Sequence, residues 1–258
     1  MNCRVGVFLV AIWLGAIPSN CLAGVSAQNR GASASAFEAL DDLARQTRAQ
    51  GDLPRWSNPE HAKVLGRFWD SNATLGAAPY SSADMPALLE IGDRASALYK
   101  TYLFVTTQPG AIPDTAANTF KYQDEVARAF SYLLQVQVAQ LEAITDFVQM
   151  LPEDAMTEPR MAGLQQMRLG FNETVTGLIL MSRSPSLRSE NRGILIDALS
   201  EGANTIATSM PAADRSAIIA QIQTVLPALS KGERQRLKAV QAAFEGRECG
   251  TLCALSER

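Results

Sequence analysis

The chain has 258 residues, 47% of them hydrophobic and 19% charged, with 26 acidic against 23 basic side chains. Intrinsic disorder calls for fewer apolar residues and more net charge. An acidic chain with no basic run longer than two residues also lacks the electrostatic footprint of a nucleic-acid binder.

Residues 1–23 read as a secretory signal peptide: Arg4 supplies a short positive start, Val5 to Ile17 is apolar, and Pro18 to Ala23 is a polar, small-residue end. The apolar core is shorter than the roughly 20 residues a membrane-spanning helix needs. Cleavage after Ala23 is the first expectation and after Ala27 the second. Cys21 lies in the wrong context for lipidation, because Pro18-Ser19-Asn20 precedes it. The expected destination is the periplasm or the exterior. No later segment is apolar enough to span a membrane, since Thr174 to Met181 is short and flanked by Glu173 and Arg183.

Gly24 to Ala34 reads as a flexible leader. Ser35 is expected to cap a helix running to Gln50, with Gly51 as its stop. Asn58-Pro59 pairs a cap residue with proline at the first helical position and opens a helix to about Asp70. Ser71 to Ala83, with Gly76 and Pro79, reads as a long connection. A further helix from about Asp84 to Thr106 ends before a turn at Pro109-Gly110.

The stretch Val126 to Leu151 organises the rest. Val126, Phe130, Leu133, Gln137, Leu141, Ile144, Val148 and Leu151 repeat every three or four residues and share one face of a helix. Tyr132, Val136, Ala139, Ala143 and Phe147 form a second apolar line beside it. A face that wide implies packing partners on at least two sides, and Pro152 ends the run. A helix begun at Asp114 would be ~55 Å long at 1.5 Å per residue, so the spacing predicts a kink or a start near Thr119. Four more helical patterns follow: Arg160 to Arg183, Leu187 to Met210, Pro211 to Leu226, and a last one opened by the capping box Ser230-x-x-Glu233 and ending at Gly246. The expected class is all-α, seven or eight helices around a central helix at about 119–151. It forms one domain, 35–248, with an aromatic-rich half (35–151) and an aliphatic half (157–246). A tail, 249–258, carries the last two cysteines.

Cys249 and Cys253 are expected to pair in an oxidising compartment. A redox role fits poorly, because three residues rather than two separate them. No metal site and no cofactor are implied. His61 is the only histidine, and neither G-x-S-x-G nor H-E-x-x-H is present, so it reads as a surface or capping residue. Glu142 and Asp146, one turn apart, with Tyr132, are the candidates for an all-α enzyme using carboxylates and tyrosine; the plainer reading is a wet helix edge. No residue is assigned a catalytic role.

The strongest signal is the placing of the aromatic residues. Eleven fall between Trp56 and Tyr132. Rings with a polar tip suit a ligand pocket or partner surface as well as a core. Trp56, Trp69, Tyr99, Tyr102, Tyr122 and Tyr132 are therefore the candidate ligand-binding residues. The resulting expectation is an exported, non-catalytic helical protein that binds a small ligand or an envelope protein. The alternatives are the carboxylate enzyme and a structural envelope component retained by its N-terminal segment.

Overall fold

The computed structural model describes residues 24–106, 110–152, 155–246 and 248–256; the signal-peptide reading falls on 1–23, outside them. The fold is all-α, and no strand occurs among the described residues beyond a single bridge between Gly24 and Ala77. No helix among them is long and apolar enough to cross a membrane.

The chain enters through α1 (Ala27–Ala49) and α2 (Pro59–Phe68), followed by the short α3 (Ser71–Thr74). The leader expected at 24–34 is instead mostly helix. Ser26 accepts the backbone N–H of Asn29 at 3.2 Å while Asn29 Oδ1 accepts the backbone N–H of Ser26 at 3.1 Å, a reciprocal cap. Asparagine stands where glutamate or glutamine is usual, so the pattern escaped the sequence rule. Asn58 caps α2 as expected, accepting from Glu60 and His61.

Next come α4 (Met85–Leu103), α5 (Thr115–Lys121) and the central α6 (Gln123–Met150). The expected break lies at Tyr122, whose φ of −114° and ψ of 30° depart from the helix. Tyr122 turns inward there, 1% exposed, and its hydroxyl donates to Asp52 Oδ1 at 2.9 Å.

On α6 both expected apolar lines are largely buried, from Val126 and Phe130 to Ile144 and Val148. Phe147 is the exception, 40% exposed. One side of α6 packs on α4 and the other on α8 (Ser189–Ser209). The glutamines of α6 stitch it to its neighbours. Gln140 Nε2 donates to the Leu88 carbonyl of α4 at 2.9 Å, and Gln135 Nε2 to Glu201 of α8 at 3.4 Å. Gln137 Nε2 donates to Thr174 Oγ1 of α7 (Glu158–Ser182) at 3.1 Å. Gln137 and Gln140 face partner helices, whereas Gln135 also borders an open notch on the surface of α6.

α9 (Ala212–Val225) lies against α7, and α10 (Lys231–Phe244) against α8 and α9. The expected capping box at Ser230 and Glu233 is present. One continuous apolar cluster runs from Phe37 and Phe68 through α6 to Leu199, Ile222 and Phe244.

The segment read as a tail carries a docked helix, α11 (Thr251–Ser256). Cys249 and Cys253 form a disulfide at its base, and Cys253 is fully buried. Gly250 N–H donates to the Thr208 carbonyl at 2.9 Å, and Gln149 Nε2 to Thr251 Oγ1 at 3.1 Å.

The α6–α8 seam depends on Gly202, where an added Cβ would lie 2.7 Å from Val138 Cγ2 and 3.1 Å from Ile206 Cδ1. Gly202→Val should therefore push two packed helices apart and destabilise the protein by about 2–3 kcal/mol. Gly232→Val, on α10 with nothing near its Cβ position, should be neutral or stabilising by a few tenths of a kcal/mol (about 0.3), because valine is a better helix former than glycine. Urea denaturation of the two variants checks the contrast.

Candidate functional site

The six aromatic candidates divide by burial. Tyr102, Tyr122 and Tyr132 are 0%, 1% and 2% exposed. Each hydroxyl already has an internal acceptor: Tyr102 the Pro54 carbonyl at 3.0 Å, Tyr122 Asp52 Oδ1, and Tyr132 Thr74 Oγ1 at 2.8 Å. Burial drives the phenols of Tyr102 and Tyr132 far above their ordinary range. All three are core residues with satisfied polar tips, and Tyr132 also lines a notch with Trp56 and Trp69. Tyr99 stacks on Phe130 with centroids 4.6 Å apart, and burial pushes its hydroxyl up to about 12.

Around Tyr122 the polar groups also serve the fold. Arg55 stacks 4.2 Å from the Tyr122 ring centroid and pairs with Asp52 at 3.3 Å. Burial pushes the Asp52 carboxyl up. The Leu53 amide, the Tyr122 hydroxyl and the charges of Arg55 and Lys121 outweigh it, bringing the group down to about 2. This cluster ties the loop after α1 to the α5–α6 break. His61 braces the same loop: its Nδ1 accepts the Arg55 backbone N–H at 3.1 Å.

Trp56 and Trp69 are different. Both are half-buried, their ring centroids 5.5 Å apart and tilted by 44°. Asn58-Pro59 starts α2 just after Trp56, and Trp69 is the residue that ends it, so one ten-residue helix sets the pair's separation. The edge of the Trp56 ring packs over Gly66 of α2, 3.8 Å from its Cβ position. The guanidinium of Arg128, reaching over from α6, lies 4.2 Å from the Trp56 centroid, a cation–π contact.

Behind this pair the Trp56 backbone N–H donates to Glu125 Oε1. Glu125 is only 3% exposed, and burial raises its carboxyl above the ordinary value against the Trp56 amide and the Arg55 charge. Arg128 Nη1 donates to the Asp124 carbonyl at 3.1 Å, and its Nη2 lies 3.8 Å from Glu190. Burial pulls the guanidinium below its usual value while Asp124, Glu190 and Glu125 hold it up; it stays a cation.

An open notch runs along this face, lined by Trp56, Trp69, Asp70, Arg128, Gln135 and Ile194. The Nε1–H of Trp69 is buried with no hydrogen-bond acceptor among the described residues. Buried indole N–H groups ordinarily find a partner. Two rings and one cation therefore meet on one concave surface. The rings were legible as candidates in the sequence. Arg128 was not, because an arginine four residues after an aspartate on one helix has the spacing of an ordinary surface ion pair.

Of the enzyme candidates, Glu142 and Asp146 line one open depression beside Tyr80, and Tyr132 lies apart from them. Glu142 accepts the Tyr80 backbone N–H at 3.4 Å and Asp146 that of Ser82 at 2.8 Å, so both carboxylates brace the loop after α3. Tyr132 lines the tryptophan notch instead, ten residues and ~15 Å of helix from Glu142.

A second depression, between α6, α7 and α11, is lined by Leu141, Met161, Met167, Phe171 and Leu252. Its free space is about 30 Å³, room for about one water, so it is a packing seam rather than a ligand pocket. Among the described residues no cluster of histidine, cysteine or carboxylate side chains could hold a metal ion. No protein-family model matches the chain, and neither a curated protein nor a solved structure does.

Proposed function

We propose that the protein is exported and acts without catalysis, binding a small ligand or an envelope protein through the notch of Trp56, Trp69 and Arg128. The observation that carries the reading is the half-buried tryptophan pair beside a cation on one concave surface. Such a surface suits a ligand with a flat or weakly polar face to lie on the rings and an oxygen, carboxylate above all, to meet Arg128. Gln135 and Ser131 stand on the same face to accept or donate further hydrogen bonds. A notch of mostly apolar rings with few placed polar groups is the usual make-up of small-ligand sites.

The test is direct, because the chain from residue 24 onward contains only Trp56 and Trp69. Intrinsic fluorescence of the exported form, titrated with neutral saccharides, carboxylated saccharides and acidic peptides, reports on this notch alone. The expected result is a saturable change with one carboxylate-bearing class and no consumption of the ligand. Arg128→Ala should weaken that binding about tenfold, the loss of one charge-assisted hydrogen bond. Binding of equal strength after Arg128→Ala and Trp69→Phe would place recognition elsewhere, and turnover of the ligand would make the protein an enzyme.

A further inference from the structure

The first described residues are held by a receptor built for them. Gly24 is buried and Val25 is 5% exposed. The Gly24 nitrogen donates to the Ala77 carbonyl at 2.7 Å, and the Val25 N–H donates to Asp84 Oδ1 at 2.8 Å. Asp84 Oδ2 accepts the Ser81 backbone N–H at 2.8 Å and the Ser81 hydroxyl at 3.0 Å, which aims the carboxylate. Asn29 Nδ2 reaches across to the carbonyls of Asn72 and Ala73, at 3.1 Å and 2.9 Å, and fastens the start of α1 to α3.

Two glycines make the approach possible. A Cβ on Gly24 would lie 2.4 Å from Asp84 Oδ2, and one on Gly76 would lie 2.4 Å from the Gly24 carbonyl oxygen. The carboxylate of Asp84 therefore sits directly against the α-carbon of Gly24. Among the described residues no lysine or arginine forms an ion pair with Asp84, leaving a half-buried anion with hydrogen bonds but no counter-charge.

We propose that hydrolysis of the Ala23–Gly24 peptide bond supplies that counter-charge, creating an α-ammonium at Gly24 that pairs with Asp84 and completes the receptor. The inference rests on the export reading. Water adds across the amide, under an export endopeptidase that accepts small side chains, leaving a carboxylate on Ala23 and an amine on Gly24 that takes up a proton. An α-amino group, with an ordinary pKa near 7.7–8.0, is mostly charged at neutral pH. Cys21 and Ala23 are the small residues such an enzyme needs before the cut. The geometry also separates the two expected cleavage points. Cutting after Ala27 would discard buried Val25, the Gly24–Ala77 bridge and the Ser26 cap of α1. Cutting after Ala23 discards none of them.

The experiment has two arms. Sequencing the N-terminus of the exported protein should read Gly24-Val25-Ser26. A processed chain with any other first residue overturns this inference alone, whereas a chain keeping Met1 inside the cell overturns the export reading as well. In the second arm, the chain starting at Gly24 is compared by thermal melting with one retaining Leu22-Ala23, each with and without Asp84→Asn. The Gly24 form should melt about 4 °C higher, and Asp84→Asn should shrink that gap to under about 1 °C, since the cycle isolates the ammonium–carboxylate term. Should Asp84→Asn fail to fold, acetylation of the Gly24 amine removes the charge with Asp84 intact and should lower the melting point by the same amount. A gap indifferent to Asp84, or an acetylated chain that melts with the free amine, overturns the proposal.

Discussion

Glu233→Ala should destabilise the protein by about 3–4 kcal/mol, the cost of removing one partner from a buried ion pair. Glu233 is 2% exposed at the start of α10. Its Oε1 accepts Arg192 Nε at 3.0 Å and the Ser189 hydroxyl at 2.9 Å, while Oε2 accepts the Ser230 backbone N–H at 2.8 Å. One carboxylate thus closes the α10 cap and ties α10 to the start of α8. Arg192, which also donates to the carbonyls of Ser184 and Leu187, would be left without its anion.

The same site sets an acid limit. Burial alone would raise the Glu233 carboxyl, but the Ser230 hydroxyl and amide, the Ser189 hydroxyl and Arg192 hold it down to about 2. In the unfolded chain it titrates near 4.3. A folded value below the unfolded one means the contribution is complete above about pH 4.3 and disappears as pH falls toward 2; a shift of this size corresponds to ~3 kcal/mol. Glu233→Gln should therefore flatten the stability profile between pH 4.3 and 2. Urea denaturation at pH 7, 4 and 2.5 measures it, and an unchanged acid slope in Glu233→Gln would show that the carboxylate is not held as described.

Phe68→Ala should cost about 3–5 kcal/mol. Phe68 is fully buried, with its ring centroid 4.6 Å from Phe37 of α1 and 4.8 Å from Tyr132 of α6. It is the bolt joining α1, α2 and α6. Its loss leaves a cavity against Tyr132, which lines the tryptophan notch, so ligand affinity at the notch should fall with stability. Phe104→Ala removes the same ring at a position 52% exposed and should stay within about 0.5 kcal/mol. Equal losses from the two variants would contradict the burial assigned to Phe68.

The helical fold was legible because its signals act over a turn or two. The three-and-four spacing on α6, Asn58-Pro59 before α2 and the Ser230-x-x-Glu233 box all work through neighbours in the chain, and each stands in the structure. Where a local signal is unusual, sequence and structure part. Asn29 replaces the expected acidic residue in the cap of α1, and the helix starts eight residues before Ser35. In the connection after α2, α3 is a single turn capped by Asp70, which accepts the Ala73 N–H at 3.1 Å.

The candidate site was only half legible. An aromatic residue has the same composition signature whether it fills a core or faces a ligand, so the density of rings before Tyr132 could not sort Tyr102 and Tyr122 from Trp56 and Trp69. What sorts them is the Tyr122 break, which turns one ring into the Asp52–Arg55 cluster, and the length of α2, which brings two others side by side.

By itself, then, the amino-acid order determined the all-α class, the central helix and most helix boundaries, through periodicity and caps that need only adjacent turns. Tertiary packing alone decided which charge meets which. Arg128 lies over Trp56 from 72 residues away, Glu233 meets Arg192 across 41 residues, and Asp84 meets Val25 across 59. Such pairs form because burial of the apolar faces brings their helices together and strips the polar groups of water. Each must then find its partner among whatever the packing has placed beside it.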